Sequence, residues 1–388
     1  MMLEAYAERY RRDLVDAVIP FWLRHALDHE HGGYFTCLDR DGTVYDSRKY
    51  MWLQGRAVWM FARLYRELEP RDEWLAAARL GVDFIRRYGR DAEGRIFFSL
   101  TREGQPFFFQ RKPYAAVFVQ MGLFEYGLAT GDPACLDEAV ALFWRIVAWI
   151  EQPTLLGRPV LPGQVAVSQL ADRLVVGMMA LELARQFDDP RYDEVLRTTV
   201  DGVLRHYDAT HRVFREVVAH DGRDLTALPE GRLFSPGHTI ETVWILLHML
   251  ARNPDAQAQQ VAFAALAGAL ELGWDAQYDG LFYFMDLAGR PTLQLEATMK
   301  LWWPHAEAIY ALVLAYTLTR EAHWLTWLER VDRYTYTHFV DPVHGEWFGY
   351  CDRRGDLALT SKGGNYKGFF HVPRALLFSL QAIDRDKG

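Results

Sequence analysis

One phrase recurs five times in this 388-residue chain and constrains its fold more than any other feature. It reads DHEHGGYFTCLDRDG from Asp28, DAEGRIFFSLTREG from Asp91, DATHRVFREVVAHDG from Asp208, DAQYDGLFYFMDLAG from Asp275 and DPVHGEWFGYCDRRG from Asp341. Each opens with an aspartate and a turn, runs through β-prone residues that include an aromatic, and ends in a second turn at glycine. That is the pattern of a short hairpin. The aspartates stand 63, 117, 67 and 66 positions apart, so the unit is about 60–65 residues long and one hairpin is absent from the middle. The gap falls at the Pro/Gly-rich TLLGRPVLPGQV, Thr154 to Val165.

Between the phrases, apolar residues recur at i, i+3, i+4 and i+7, the spacing of one helix face. They predict twelve helices, at 3–27, 50–68, 73–88, 114–130, 134–151, 168–186, 191–206, 238–252, 257–273, 304–319, 323–338 and 367–383. Six helix pairs joined by hairpins close on themselves as an all-α (α/α)6 barrel, an inner ring of six inside an outer ring of six. The alternative is an open solenoid, whose repeats usually lack such hairpins. A single barrel domain over 1–388 is expected.

Composition narrows the partners. A net charge of −8 and the lack of any dense Lys/Arg run argue against nucleic acid. The segment MMLEAYAERYRRDLVDAVIPFW scatters charges through its apolar residues, so neither a signal peptide nor a membrane anchor is expected, and a cytoplasmic protein follows. Cys37, Cys135 and Cys351 are odd in number and far apart, which predicts no disulfide framework. No His, Cys and carboxylate spacing suggests a metal site. Small molecules are the expected ligands.

The inner helices carry the chemistry. Their starts hold Arg56; Lys112 and Tyr114; Gln169, Asp172 and Arg173; His238 and Glu241; His305 and Glu307; and Tyr366, Lys367, His371 and Arg374. In a barrel these ionisable groups converge on one pocket. Pro304 suits a first helical turn, where its missing N–H is no loss. A histidine near a helix N-terminus feels the positive end of the dipole, which favours the neutral imidazole a general base needs. The other ten histidines fall in hairpins, helix ends or outer helices and read as structural or solvated.

Three stretches, SPGHTIE at 235–241, KLWWPHAEAIYAL at 300–312 and GGNYKGFFHVPRAL at 363–376, resemble the N-acylglucosamine 2-epimerase family, with GRAVWMFARLYRE at 55–67 in support. The resemblance implies an (α/α)6 barrel and C2 epimerisation of an aldose with no cofactor or metal required. It implies that His238 and His371 are the acid/base pair, with Arg56, Glu241, Glu307 and Arg374 around the sugar. Tyr366 departs from the tryptophan expected there in the animal enzymes. ATP is implied as an effector, although no P-loop is present and SKGGNYKG reads as a turn. A homodimer is expected.

That chemistry suits the residues. Opening the sugar ring, removing the C2 proton beside the C1 aldehyde and returning a proton to the opposite face calls for two bases, and histidine serves as acid or base near neutral pH. Negative charge develops on O1, where Arg56 is the natural partner. Tyr114, Trp302, Trp303 and Phe370 offer flat surfaces to a sugar, and Lys112, Asp172 and His305 complete the expected binding set. N-acetylglucosamine and N-acetylmannosamine are the expected pair. A free-sugar epimerase or isomerase acting on mannose, glucose or fructose, a cellobiose 2-epimerase, a glycoside hydrolase using Glu241, Glu307 or Asp172, and a non-catalytic sugar- or protein-binding module stand as alternatives.

Overall fold

The computed structural model of the protein describes residues 2–387. Each of the five recurrent aspartates closes the same turn. Asp28 Oδ1 accepts the N–H groups of Glu30 and His31, Asp208 Oδ1 those of Thr210 and His211, and Asp275 Oδ1 those of Gln277 and Tyr278. The flanking residues pair across each turn, Leu27 with Tyr34, Arg90 with Ile96, Tyr207 with Phe214, Trp274 with Leu281 and Val340 with Trp347. Four residues past the aspartate the backbone is left-handed in most copies. Gly32 and Gly345 adopt this at no steric cost, while Arg212 sits at φ 57°.

The second half of each hairpin reaches back to the strand ahead of an inner helix. Lys49–Tyr50 pairs with Ser99–Leu100, Val167–Gln169 with Val217–Ala219, Leu233–Phe234 with Met285–Asp286, and Lys300–Leu301 with Tyr350–Cys351. The first hairpin has no earlier inner helix to serve. Its Leu38 carbonyl instead accepts the N–H groups of Lys362 and Gly363, at 2.9 and 3.1 Å, shortly before the last helix. This contact closes the ring. The gap at 157–166 is irregular, as expected, and follows a single 3₁₀ turn at Pro153–Leu156.

The inner ring comprises α2 (Met51–Glu67), α4 (Tyr114–Thr130), α6 (Leu170–Gln186), α8 (Pro236–Arg252), α10 (Trp302–Thr319) and α12 (His371–Lys387). The outer ring comprises α1 (Met2–His25), α3 (Asp72–Tyr88), α5 (Pro133–Glu151), α7 (Pro190–Leu204), α9 (Ala256–Gly273) and α11 (Ala322–His338). Each inner helix packs on the next, α12 returns to α2, and every inner helix has an outer partner. Position decides polarity. Inner α10 is buried at every residue from Trp302 to Ala315, whereas outer α3 buries Trp74, Ala77, Ala78, Gly81, Val82, Phe84 and Ile85, the residues of one face.

Two expectations need correction. The first helix is not continuous over 3–27: α1 consists of Met2–Arg12, a π-helical stretch at Asp13–Val18, and Ile19–His25. The π stretch presents Asp13 to Trp347 Nε1–H at 2.8 Å and to the Tyr336 hydroxyl at 3.1 Å, bonds that dock α1 on the last repeat. The last inner helix begins at His371 rather than 367, because Lys367 is drawn into a buried bond with Glu346 at 2.8 Å. Among the described residues no helix is long and apolar enough to cross a membrane, and all three cysteines are buried and unpaired.

Three of the hairpin aspartates anchor a buried cluster that sequence inspection did not reveal. Lys49 bonds Asp28 at 2.9 Å, Lys300 bonds Asp275 at 3.2 Å and Lys362 bonds Asp341 at 3.0 Å, each lysine side chain fully buried. An arginine from another hairpin completes each set: Arg102 at 3.0 Å, Arg353 at 2.9 Å and Arg40 at 2.8 Å. Each ammonium also faces an aromatic ring, Phe84, Phe282 or Phe348. Burial alone would push Asp275 up, but Arg353, the Gln277 N–H and Lys300 together bring it to about 2. Its contribution to stability is therefore present above the ordinary carboxylate value and is lost as pH falls towards 2. Lys300→Met leaves Asp275 buried without its ammonium and is expected to cost about 3–5 kcal/mol in urea unfolding; an unchanged midpoint would show the cluster to be energetically idle.

Candidate functional site

The sequence sets the site by starting inner helices with polar residues. Ser235 caps α8 through a bond from the His238 N–H at 3.4 Å, with Pro236 in the first turn, so His238 and Glu241 share a face one turn in. His371 is the first residue of α12 and Arg374 follows one turn later. Arg56 comes from α2 and Glu307 from α10. Arg56, His238, Glu241, Trp302, Trp303 and His371 line one cavity of about 520 Å³.

Both histidines are held through Nδ1, and among the described residues nothing bonds Nε2. His238 Nδ1 stands 3.0 Å from each carboxylate oxygen of Glu216, and His371 Nδ1 stands 2.7 Å from Glu307 Oε1. Trp303 lies against both rings, its centroid 5.0 Å from His238 and 5.8 Å from His371. For His238 burial works downward, but the Glu216 and Glu241 carboxylates together outweigh it and the ring ends above its ordinary value. The shift at His238 therefore runs opposite to the one expected from the helix dipole, because full charges close by act more strongly than a partial one. For His371 burial is reinforced by Arg56 and Arg374, and the ring falls well below its ordinary value. Its bond to Glu307 offsets little, since the same oxygen already neutralises Arg374 at 2.7 Å.

Arg374 is buried beneath the cavity floor and binds Glu241 and Glu307 together, each at 2.7 Å, and Trp244 Nε1–H donates to the other Glu307 oxygen at 2.9 Å. Glu241, Glu307 and His371 bring three donor atoms within 4.8 Å, a tight metal-type cluster that the linear spacing did not reveal because the residues come from three helices. A guanidinium bonded to both carboxylates serves as their cation. Arg56, by contrast, forms no hydrogen bond among the described residues. It stands among the rings of Trp52, Phe118 and Phe370, and burial pulls it down to about 9, still cationic at neutral pH.

The other expected residues divide. Phe370 is buried under Arg56 and Arg374 and does not line the cavity. Lys112, Tyr114 and Asp172 line a separate recess, where the Tyr114 hydroxyl donates to Asp172 at 2.7 Å. His305 is the clear correction. It is fully buried, with Nε2 accepting the Leu281 N–H at 3.0 Å and Nδ1 bonded to the Leu301 carbonyl at 2.6 Å, so both nitrogens are spent on backbone and none reaches a sugar. Its position at a helix start resembled that of His238, but its ring points outward to Tyr334 of α11. Sequence reasoning missed Trp52, Tyr283 and Tyr350 in the cavity wall, and Glu216. Glu216 lies in a hairpin phrase where nothing local marks it.

A barrel whose inner-ring helix starts gather two histidines, two carboxylates and two arginines at one cavity belongs with carbohydrate-active (α/α)6 proteins. The family model for N-acylglucosamine 2-epimerase (GlcNAc 2-epimerase) matches residues 33–375. The chain is 41% identical over 393 residues to the N-acylglucosamine 2-epimerase of Mus musculus, covering 98% of this chain and 92% of that one. With the N-acylglucosamine 2-epimerase of Bos taurus it shares 42% identity over 394 residues, again 98% and 92% of the two chains. The fold is similar to the cellobiose 2-epimerase of Bacillus thermoamylovorans B4167, with a TM-score of 0.85 at 22% identity over 97% of this chain and 99% of that one. The chain belongs to the N-acylglucosamine 2-epimerase family and has its barrel.

The geometry separates His305 from the other two histidines experimentally. His305→Leu removes two buried backbone contacts and is expected to lower stability by about 1–3 kcal/mol in chemical denaturation, with kcat of the folded protein within about twofold of wild type. A large loss of kcat in a fully folded variant would return His305 to the site.

Proposed function

We propose that this protein interconverts N-acetylglucosamine and N-acetylmannosamine by moving the C2 proton between two histidines, with no metal taking part. The observation that carries the reading is the pair itself: His238 and His371 come from different helices, line one cavity, and each has Nδ1 held by a carboxylate. A hydrolase needs two carboxylates across a glycosidic bond and has no use for such a pair. The sugar binds in its open form with C2 between the two Nε2 atoms. One imidazole removes the C2 proton, and the electron pair enters an enediolate whose charge lies largely on O1. Arg56, with no hydrogen bond among the described residues, offers its guanidinium to that oxygen. The other imidazole then protonates the opposite face of C2. Glu241 lines the same cavity and is placed to take a sugar hydroxyl.

Proton NMR of the protein with N-acetylmannosamine, mannose and cellobiose in turn, with and without ATP, tests substrate and effector together. Epimerisation of N-acetylmannosamine is expected to be fastest, and turnover of mannose or cellobiose alone would reassign the substrate. Light scattering checks the expected homodimer. Exhaustive EDTA is expected to leave activity intact; a loss restored by a divalent ion would sink the metal-free route. Arg56→Ala is expected to lower kcat by about 10² to 10³, and a kcat near wild type would make Arg56 structural. In heavy water, His238→Asn and His371→Asn should each retain at most deuterium exchange into a single epimer, opposite in the two variants. Full epimerisation by either variant would end the two-histidine assignment.

A further inference from the structure

We propose that Glu216 is a positioning residue that makes the two histidines unequal, holding His238 as the protonated, proton-giving partner in the resting enzyme and leaving His371 as the neutral, proton-taking one. The inference rests on the two-histidine reading above. It adds a resting polarity and names the residue that sets it.

Glu216 stands between the strands Val213–Phe214 and Val217–Ala219, in the third hairpin. Its Oε1 accepts the Ser235 N–H at 3.2 Å, so the carboxylate is fastened to the cap of α8 as well as to His238. Among the described residues no lysine or arginine bonds it, and its charge is left for the imidazole. Glu307 is situated differently, with Arg374 on the oxygen that meets His371 and Trp244 on the other. The surroundings of the two rings follow suit. His238 faces Glu216 and Glu241 with the rings of Trp303 and Phe284, and among the described residues no cation bonds it. His371 faces Glu307 and Glu241, but also Arg374, Arg56 and His238 itself. Two carboxylates act on one imidazole, while cations crowd the other.

The proton balance has a consequence. In a turnover from the resting form, the C2–H proton passes to His371 Nε2 and its electron pair enters the enediolate. His238 Nε2–H then supplies the new C2–H proton, taken up by that same electron pair. The protein is left with the proton on His371 and none on His238. The resting form returns by exchange with solvent, to which the His238 side chain is 27% exposed. Starting from the other epimer, the proton must first shift from His238 to His371, so the protein reacts through its less populated form.

Imidazole NMR titration, with signals assigned through His238→Asn and His371→Asn, reads the resting state without any substrate. At pH 7 His238 is expected to be protonated and His371 neutral. Glu216→Gln keeps an oxygen for the Nδ1–H and removes the charge. The His238 midpoint and the basic limb of the kcat/KM profile should then both move down by about one pH unit or more, while Glu216→Asp restores them. A purely structural role would scale the whole profile and leave the limb in place. The proposal is overturned if wild-type His238 titrates below His371, or if Glu216→Gln leaves the basic limb unmoved. A wild-type protein that epimerises no sugar overturns the functional reading instead, and the NMR titration still decides the polarity.

Discussion

The buried aspartate–lysine–arginine clusters are the constraint on which the rest of the molecule depends. A lysine with no exposed side-chain surface is tolerable only beside its carboxylate, and a broken pair leaves a bare charge inside the protein. Lys49 and Lys300 sit in the strands immediately ahead of α2 and α10. A slip of one residue would turn either lysine to the opposite face of its ladder. The clusters therefore lock hairpin register, and register sets where the inner helices begin. Arg40 and Lys362 perform the same task across the junction between the first and last repeats, so ring closure rests on the device that spaces the repeats.

Fixed helix starts are what make a site. Because the inner helices begin at one end of the barrel, residues in their first turns meet there without any one helix encoding the meeting. Arg374 then does for the site what the lysines do for the hairpins. It is buried, bridges Glu241 and Glu307, and through Glu307 orients His371. Its neighbour Arg56 has no hydrogen bond among the described residues, which suits its proposed role of meeting charge on the substrate. One cation is consumed by structure and the other is held in reserve. The two histidines are differentiated in the same manner, one against an uncommitted carboxylate and the other against a carboxylate shared with arginine.

Much of this was legible in the chain. The aspartate phrases predicted the hairpins and their missing member, because turn chemistry is local and Asx hydrogen bonds need only residues two or three apart. The twelve helices followed from apolar periodicity, within a few residues at most ends. His238, His371, Arg56 and Glu241 were found by asking what stands at inner-helix starts. His305 answered the same question and was misplaced. A helix start specifies which end of the barrel a residue occupies, whereas the direction of its side chain depends on rotation about the helix axis, which packing against α11 decides. Lys49, Lys300 and Lys362 went unnoticed because a lone lysine in a β-prone phrase reads as solvated until its aspartate, 21 to 25 positions away, is brought beside it.

By itself, then, the sequence determined the repeat, the helix and hairpin inventory, the family and the two histidines proposed as the acid/base pair, all properties carried by local spacing or short motifs. Only the tertiary structure decided which carboxylate each histidine holds, that Arg374 stands beside a metal-type cluster, and that Arg56 faces the cavity with no hydrogen bond among the described residues. Those are matters of distance between residues on different repeats. Glu216 and His238 lie 22 positions apart, Glu307 and His371 64 apart, and Arg374 and Glu241 133 apart. Electrostatic coupling acts over a few ångströms of space, and no periodicity in the chain records which side chains the closed barrel will bring that near.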